Sequence, residues 1–184
     1  NTRVRHYVVK KHTLLVCEQF EKYAFAFDNK CMNMDLMRLV LAIHDIGKAI
    51  DRSTQHEHTL SLVRELWENT PFNKHELYLV EVLLRDDHLG SYFQNKYDLS
   101  DLKEEIVADA TELKMSPSIL LQYKMILYQC DIASYTKDAG GLKYLEHMFV
   151  YENGEKAFDE DNGIIAMSEE YADRYVNLKE SINE

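Results

Sequence analysis

LAIHDIGKAI, residues 41–50, is the most informative stretch of the chain. His44 and Asp45 stand side by side in an apolar run with the spacing of a core helix, and Lys48 follows three residues after the aspartate. A neutral imidazole and a carboxylate are ligands for hard to intermediate divalent metals. One adjacent pair cannot hold an ion alone. Either other helices bring further ligands to it, or the pair is a capped helix end. Two residues elsewhere stand out as partners. His12 lies between the apolar neighbours Val9 and Val16. Asp131 lies in YQCDIASY, flanked by Cys130, Ile132 and Ala133, where a carboxylate is costly unless paired or metal-bound. His12, His44 with Asp45, and Asp131 fall on three expected helices, and helix bundles build metal sites from such inward-facing side chains.

The helices are read from apolar periodicity. The spacing predicts a first helix over about 7–27 and a second over about 35–45, with Gly47 near its end. A third covers about 56–69 and stops before Pro71, and a fourth covers about 74–89 and ends at Gly90. Ser100 or Asp101 reads as the N-cap of a helix over about 101–113. Ser116-Pro117 opens a long helix, because Pro is tolerated in a first turn. After the Gly140-Gly141 break come a short helix, 142–149, and a polar loop, YENGEKAFDEDNG. Ser168 with Glu169 and Glu170 then starts a last amphipathic helix. No alternating strand pattern occurs. The expected fold class is all-α, one domain over residues 1–150, with an acidic appendage over 151–184 that packs on or extends it.

Composition agrees with a globular chain. Of 184 residues, 46% are hydrophobic and 29% charged, and only 6 Gly and 2 Pro interrupt the helices. No apolar run reaches the roughly 18 residues of a membrane span, and NTRVRHYVVKKH has no signal-peptide character. The missing initiator Met suggests a processed chain or an excised domain. Cys17, Cys31 and Cys130 have no CxxC spacing, which favours buried free thiols in a reducing, cytoplasmic compartment. The net charge is −11, and residues 151–184 hold 10 Asp and Glu against 3 Lys and Arg. Non-specific nucleic-acid binding is not expected, because phosphate neutralisation needs a basic surface. A small anionic substrate in a locally positive pocket is compatible with this charge.

The order His12, then His44-Asp45 within HDIGK, then a distant Asp131 resembles the HD superfamily of metal-dependent phosphohydrolases. The bare dipeptide is a weak motif. LAIHDIGK with a His-bearing helix about thirty residues upstream and an isolated Asp in an apolar helix downstream is specific, and the likeness spans most of residues 1–150. The resemblance implies a single-domain helical bundle in which His12, His44, Asp45 and Asp131 bind a divalent metal (Mn, Mg, Co, Zn or Fe). A metal-activated water then attacks phosphorus in a nucleotide or another small phosphate mono- or diester. It places Lys48 near the substrate phosphate, with Arg52 as a second candidate for that work.

Some members of the superfamily bind two metals through further histidines between the HD pair and the last Asp. His56 and His58 in QHEHTLS are two residues apart, so they point about 200° apart on a helix and only one faces the site. His58 is the expected ligand and His56 its alternative. In Asp86-Asp87-His88, His88 is the expected ligand and Asp87 a base or a ligand. The chain departs from the cyclic-di-GMP branch, with GSYFQ where that branch has GYP. It also lacks the HDxxE nucleotidase pattern, since Lys48 stands at that position. Two other outcomes stay open. One is a diiron oxygenase of the same fold, using His12, His44, Asp45, His58, His88 and Asp131. The other is a nucleotide-binding regulatory module without turnover. His6, His75 and His147 read as surface residues. Tyr123, Tyr128 and Tyr135, at near-helical intervals around Asp131, read as packing residues with base stacking as the alternative.

Overall fold

A computed structural model describes residues 3–4, 7–27, 32–141 and 145–183. It is mostly helical. A two-residue antiparallel pair, β1 (Arg3–Val4) with β2 (Tyr7–Val8), leads directly into α1 (Val9–Phe27). Then come α2 (Met34–Ile43), a 3-10 turn over Ile46–Ala49, α3 (Gln55–Trp67) and α4 (Lys74–Leu84). The short α5 (His88–Phe93), α6 (Leu99–Glu112) and α7 (Pro117–Ala133) complete the helical body. His6, Cys31 and residues 142–144 of the expected short helix lie outside the described residues. What remains of that helix is a 3-10 turn, Glu146–Met148.

Helix α7 is the centre of the fold. It is buried on nearly every face, as a helix that is apolar all round must be. It packs on α1, α2, α4, α5 and α6. Pro117 occupies its first turn, where the missing N–H costs nothing. Asn33 caps α2 and Asn73 caps α4 in a full capping box with Glu76. The Asn33 amide also donates to Glu76 Oε1 at 2.9 Å, which pins the two helix starts together.

The expected fourth helix is in fact two. It stops at Leu84 because the Asp86 carboxylate captures local donors: His88 N–H at 3.2 Å and Arg85 Nε at 3.0 Å. Such side-chain bonds compete with the helix ladder. Gly90 is not a helix end but a buried residue of α5. A Cβ there would lie 2.3 Å from Asp87 Oδ1. Gly47 likewise serves close approach. Its Cβ would lie 2.0 Å from the Gln55 carbonyl, and its N–H donates to buried Thr59 Oγ1 at 3.0 Å. The turn after Asp45 is thereby fastened to α3. Helix α6 starts two to three residues early, with Asp98 at the N-cap position.

Residues 151–163, expected as a polar loop, form two short hairpins together with Ile164 and Ile165: β3 (Tyr151–Glu152) with β4 (Glu155–Lys156), and β5 (Phe158–Asp159) with β6 (Ile164–Ile165). Ile164, Ile165 and Met167 enter the same core as α7, followed by Tyr175 and Leu178 of α8 (Glu169–Ser181). Gln129 of α7 binds both backbone groups of Ile165, at 2.8 and 2.9 Å. Lys156 is fully buried, its ammonium 2.8 Å from both Asp138 oxygens. Tyr23 of α1 donates to the Lys156 carbonyl at 2.9 Å. Acidic as it is, the C-terminal segment is part of the packed body. No helix among the described residues is long and apolar enough to cross a membrane. Cys17 and Cys130 are free.

Candidate metal centre

His12, on α1, is fully buried, and its Nε2 is the focus of the site. It lies 2.8 Å from Asp131 Oδ1, 3.4 Å from Asp45 Oδ2 and 3.3 Å from His44 Nε2. His44 Nε2 in turn lies 3.6 Å from Asp45 Oδ1 and 3.8 Å from Asp131 Oδ1. Donor atoms held about 2.1 Å from one ion at 90–110° to each other are separated by roughly 3.0–3.5 Å. The spacings therefore resemble the edges of a coordination polyhedron.

Hydrogen bonding around the two imidazoles aims their lone pairs into this cluster. His44 Nδ1 sits 2.7 Å from the Leu41 carbonyl and must donate to it, which leaves the Nε2 lone pair free in the neutral ring. For His12 the same task falls to Ser134. The Ser134 hydroxyl donates to the Asp131 carbonyl at 2.6 Å, so toward His12 Nδ1, 3.2 Å away, it acts as acceptor. The His12 ring proton is then on Nδ1 and its lone pair on Nε2. Tyr135 stacks on the same ring at 4.8 Å between centroids.

The carboxylates complete the pattern. Asp45 Oδ2 and Asp131 Oδ1 are buried and accept no hydrogen bond. Burial alone would raise the Asp131 carboxyl. With His12 doubly protonated, its Nε2–H bond to Asp131 and the positive charges of His12, His44 and Lys48 instead hold it at about 2. Two imidazole lone pairs and two orphaned carboxylate oxygens converging on one point fit a divalent cation. Lys48 pairs with the other Asp45 oxygen.

A pocket of about 110 Å³ opens beside the cluster, lined by His44, Asp45, Lys48 and Asp131. Of the α3 histidines it is His56 that lines the pocket, not His58. His56 donates from Nδ1 to the Leu84 carbonyl at 2.9 Å, and the Gln55 amide is 3.2 Å from its Nε2. His58 sits near Asp51 instead, because the docking of Gly47 on Gln55 and Thr59 fixes which face of α3 turns inward. Arg52 is exposed and outside the pocket. Asp87 lines the pocket. The residue keeps exposed surface, but burial of its carboxylate, reinforced by Asp131, pushes it up to about 6.

His88 is not part of this site. The break after Leu84 turns it toward α6, where Nδ1 meets Glu105 Oε2 at 2.6 Å and the ring stacks on Tyr97 at 4.3 Å. Asp86, His88 and Glu105 thus form a second group of metal-capable side chains. Here, however, each carboxylate already faces a cation. Arg85 lies 3.0 Å from Asp86 and 3.5 Å from Glu105, and it grips Asp109 with two nitrogens. Lys124 is 3.2 Å from Glu105, and its charge helps hold the Asp86 carboxyl low against the effect of burial.

Lys124 and Ser134 stand at the site, a placement the sequence reading did not assign. Lys124 precedes Asp131 by seven residues, so both lie on one face of α7, and both line the pocket with Leu127 and Tyr128 between them. Tyr128 also stacks on Phe93, and Tyr123 accepts from the Asn33 N–H, so both have packing roles. His75 binds the Leu113 carbonyl at the end of α6. No protein-family model, curated protein or solved structure matches the chain.

Proposed function

We propose that the chain is a cytoplasmic HD-type helical bundle with metal-dependent phosphohydrolase activity on a nucleotide or another small phosphate ester. Residues 1–150 would be its core, with 151–184 extending it. The observation that carries this reading is the convergence of His12, His44, Asp45 and Asp131, with two orphaned carboxylate oxygens, at the end of a small pocket. A donor set of two imidazoles and two carboxylates suits Mn, Fe, Co or Zn better than Mg, which prefers oxygen ligands. A bound divalent ion supplies a Lewis acid for phosphoryl oxygen and acidifies water. Lys48, at the pocket wall, neutralises charge on the phosphoryl group. His56 and Asp87 are the pair for a second ion, in place of His58 and His88.

The diiron oxygenase reading is weakened by the placement of His58 and His88, both of which it needs. The regulatory reading keeps the ligands without turnover. Elemental analysis, paired with a phosphate-release screen over nucleotides and phosphodiesters with Mn, Mg, Co and Ni, separates all three. Metal near one or two equivalents, and release lost in Asp45→Ala, is the expected result. Two irons with oxygen-dependent turnover favour the oxygenase. Nucleotide binding without release favours the regulatory module.

A further inference from the structure

Lys124 lines the pocket, yet nothing in the proposed chemistry uses it. Its side chain is 6% exposed, and among the described residues it forms an ion pair with Glu105 at 3.2 Å. Glu105 does not depend on it, because His88 and Arg85 face the same carboxylate. An ammonium in that position retains donors for a ligand.

The two pocket lysines serve different ends of the cavity. Lys48 pairs with Asp45 at the end of the pocket that Asp131 also lines. Lys124 pairs with Glu105 and lowers Asp86. Along α7, Lys124 and Asp131 are seven residues apart, about 10 Å in rise. A phosphoryl group seated at the His12 cluster is thus served by Lys48, and Lys124 reaches an anion next to it. The pocket volume of about 110 Å³ is well below the roughly 300 Å³ at which pockets begin to enclose drug-sized ligands. Only a small head group is enclosed.

We infer that Lys124 and Lys48 together recognise a diphosphate group, with the reacting phosphoryl beside Lys48 and the adjoining phosphate on Lys124. The inference rests on the metal-dependent phosphohydrolase reading and narrows its substrates to phosphoanhydrides. No covalent step is added by Lys124, which is a specificity-determining residue.

Binding of non-hydrolysable probes to the metal-loaded protein tests it, with free metal held equal throughout. Methylenediphosphonate is expected to bind at least about 10-fold tighter than methylphosphonate. Lys124→Met is expected to remove that difference, leaving methylphosphonate affinity and metal content unchanged. Lys124→Arg is expected to retain most of it. Because Lys124→Met could disturb Glu105, Glu105→Gln provides an independent arm. It frees the ammonium and is expected to tighten diphosphonate binding alone. Equal affinities for the two probes, or a preference that survives Lys124→Met, overturns the inference and leaves the hydrolase reading standing. Absence of bound metal, or of binding by either probe, overturns both.

Discussion

Among the described residues stand two groups of histidine and carboxylate side chains, similar in composition and opposite in electrostatics. In the first, His12, His44, Asp45 and Asp131, lone pairs point at one another, and Asp45 Oδ2 and Asp131 Oδ1 have no donor. In the second, Asp86, His88 and Glu105, the carboxylates face Arg85 and Lys124, and His88 donates to Glu105. Ligand types and distances alone group both as metal-capable. Counting counter-charges separates them. The first has unmatched carboxylate oxygens and could hold a cation, and the second is an ion network in which each carboxylate already faces a positive charge, linking α5, α6 and α7.

The strongest way to break this comparison is a metal-content scan. His12→Ala, Asp45→Ala and Asp131→Ala are each expected to reduce bound metal to background, while His88→Ala and Glu105→Ala leave it unchanged. Metal loss in His88→Ala would make the second group a site as well. Next in size is the stability of the network. Arg85→Met leaves Asp86, Glu105 and Asp109 short of a partner. Breaking a buried pair costs about 3–5 kcal/mol, and the one-third exposure of Arg85 discounts this to about 2–3 kcal/mol, read by urea unfolding. No measurable loss would mean that the network is decorative.

Ser134→Ala sharpens the first half. It frees the His12 tautomer without removing a ligand. Metal affinity is expected to fall about 10- to 100-fold, as for other residues that orient metal-bound histidines. The melting temperature of the metal-free protein should change little. The smallest effect is in pH. Asp86 titrates below its ordinary value in the folded protein, so its stabilisation is present above about pH 4 and is lost as pH falls further. The stability gap between wild type and Arg85→Met should therefore narrow between pH 5 and pH 3. A gap that widens on acidification would contradict the network.

The helices were legible in the sequence because their stripes recur at 3.6 residues, and His12, His44, Asp45 and Asp131 were legible because each interrupts such a stripe. The hairpins of 151–165 were not, since two-residue strands are too short to show alternation. The choice between His56 and His58 depended on how Gly47 docks on α3, a contact between segments. His88 was misplaced because Asp86 bonds its own neighbours and ends α4, which no periodicity reveals. Lys124 was readable in principle, seven residues before Asp131 on the same helix face. Ser134 acquires its role only when α1 and α7 meet.

That meeting also has a consequence for folding. His12 and Ser134 are 122 residues apart, and Tyr23 and Lys156 are 133 apart. Contacts of such sequence separation close large loops and slow folding. On a ribosome adding roughly 5–20 residues per second, α1 waits several seconds for α7 to exist. His12, His44 and Asp45 are made early and the cluster stays unassembled until Asp131 arrives. A metal bound at this cluster would therefore be taken up late in the life of each molecule and would report that the chain has closed on itself.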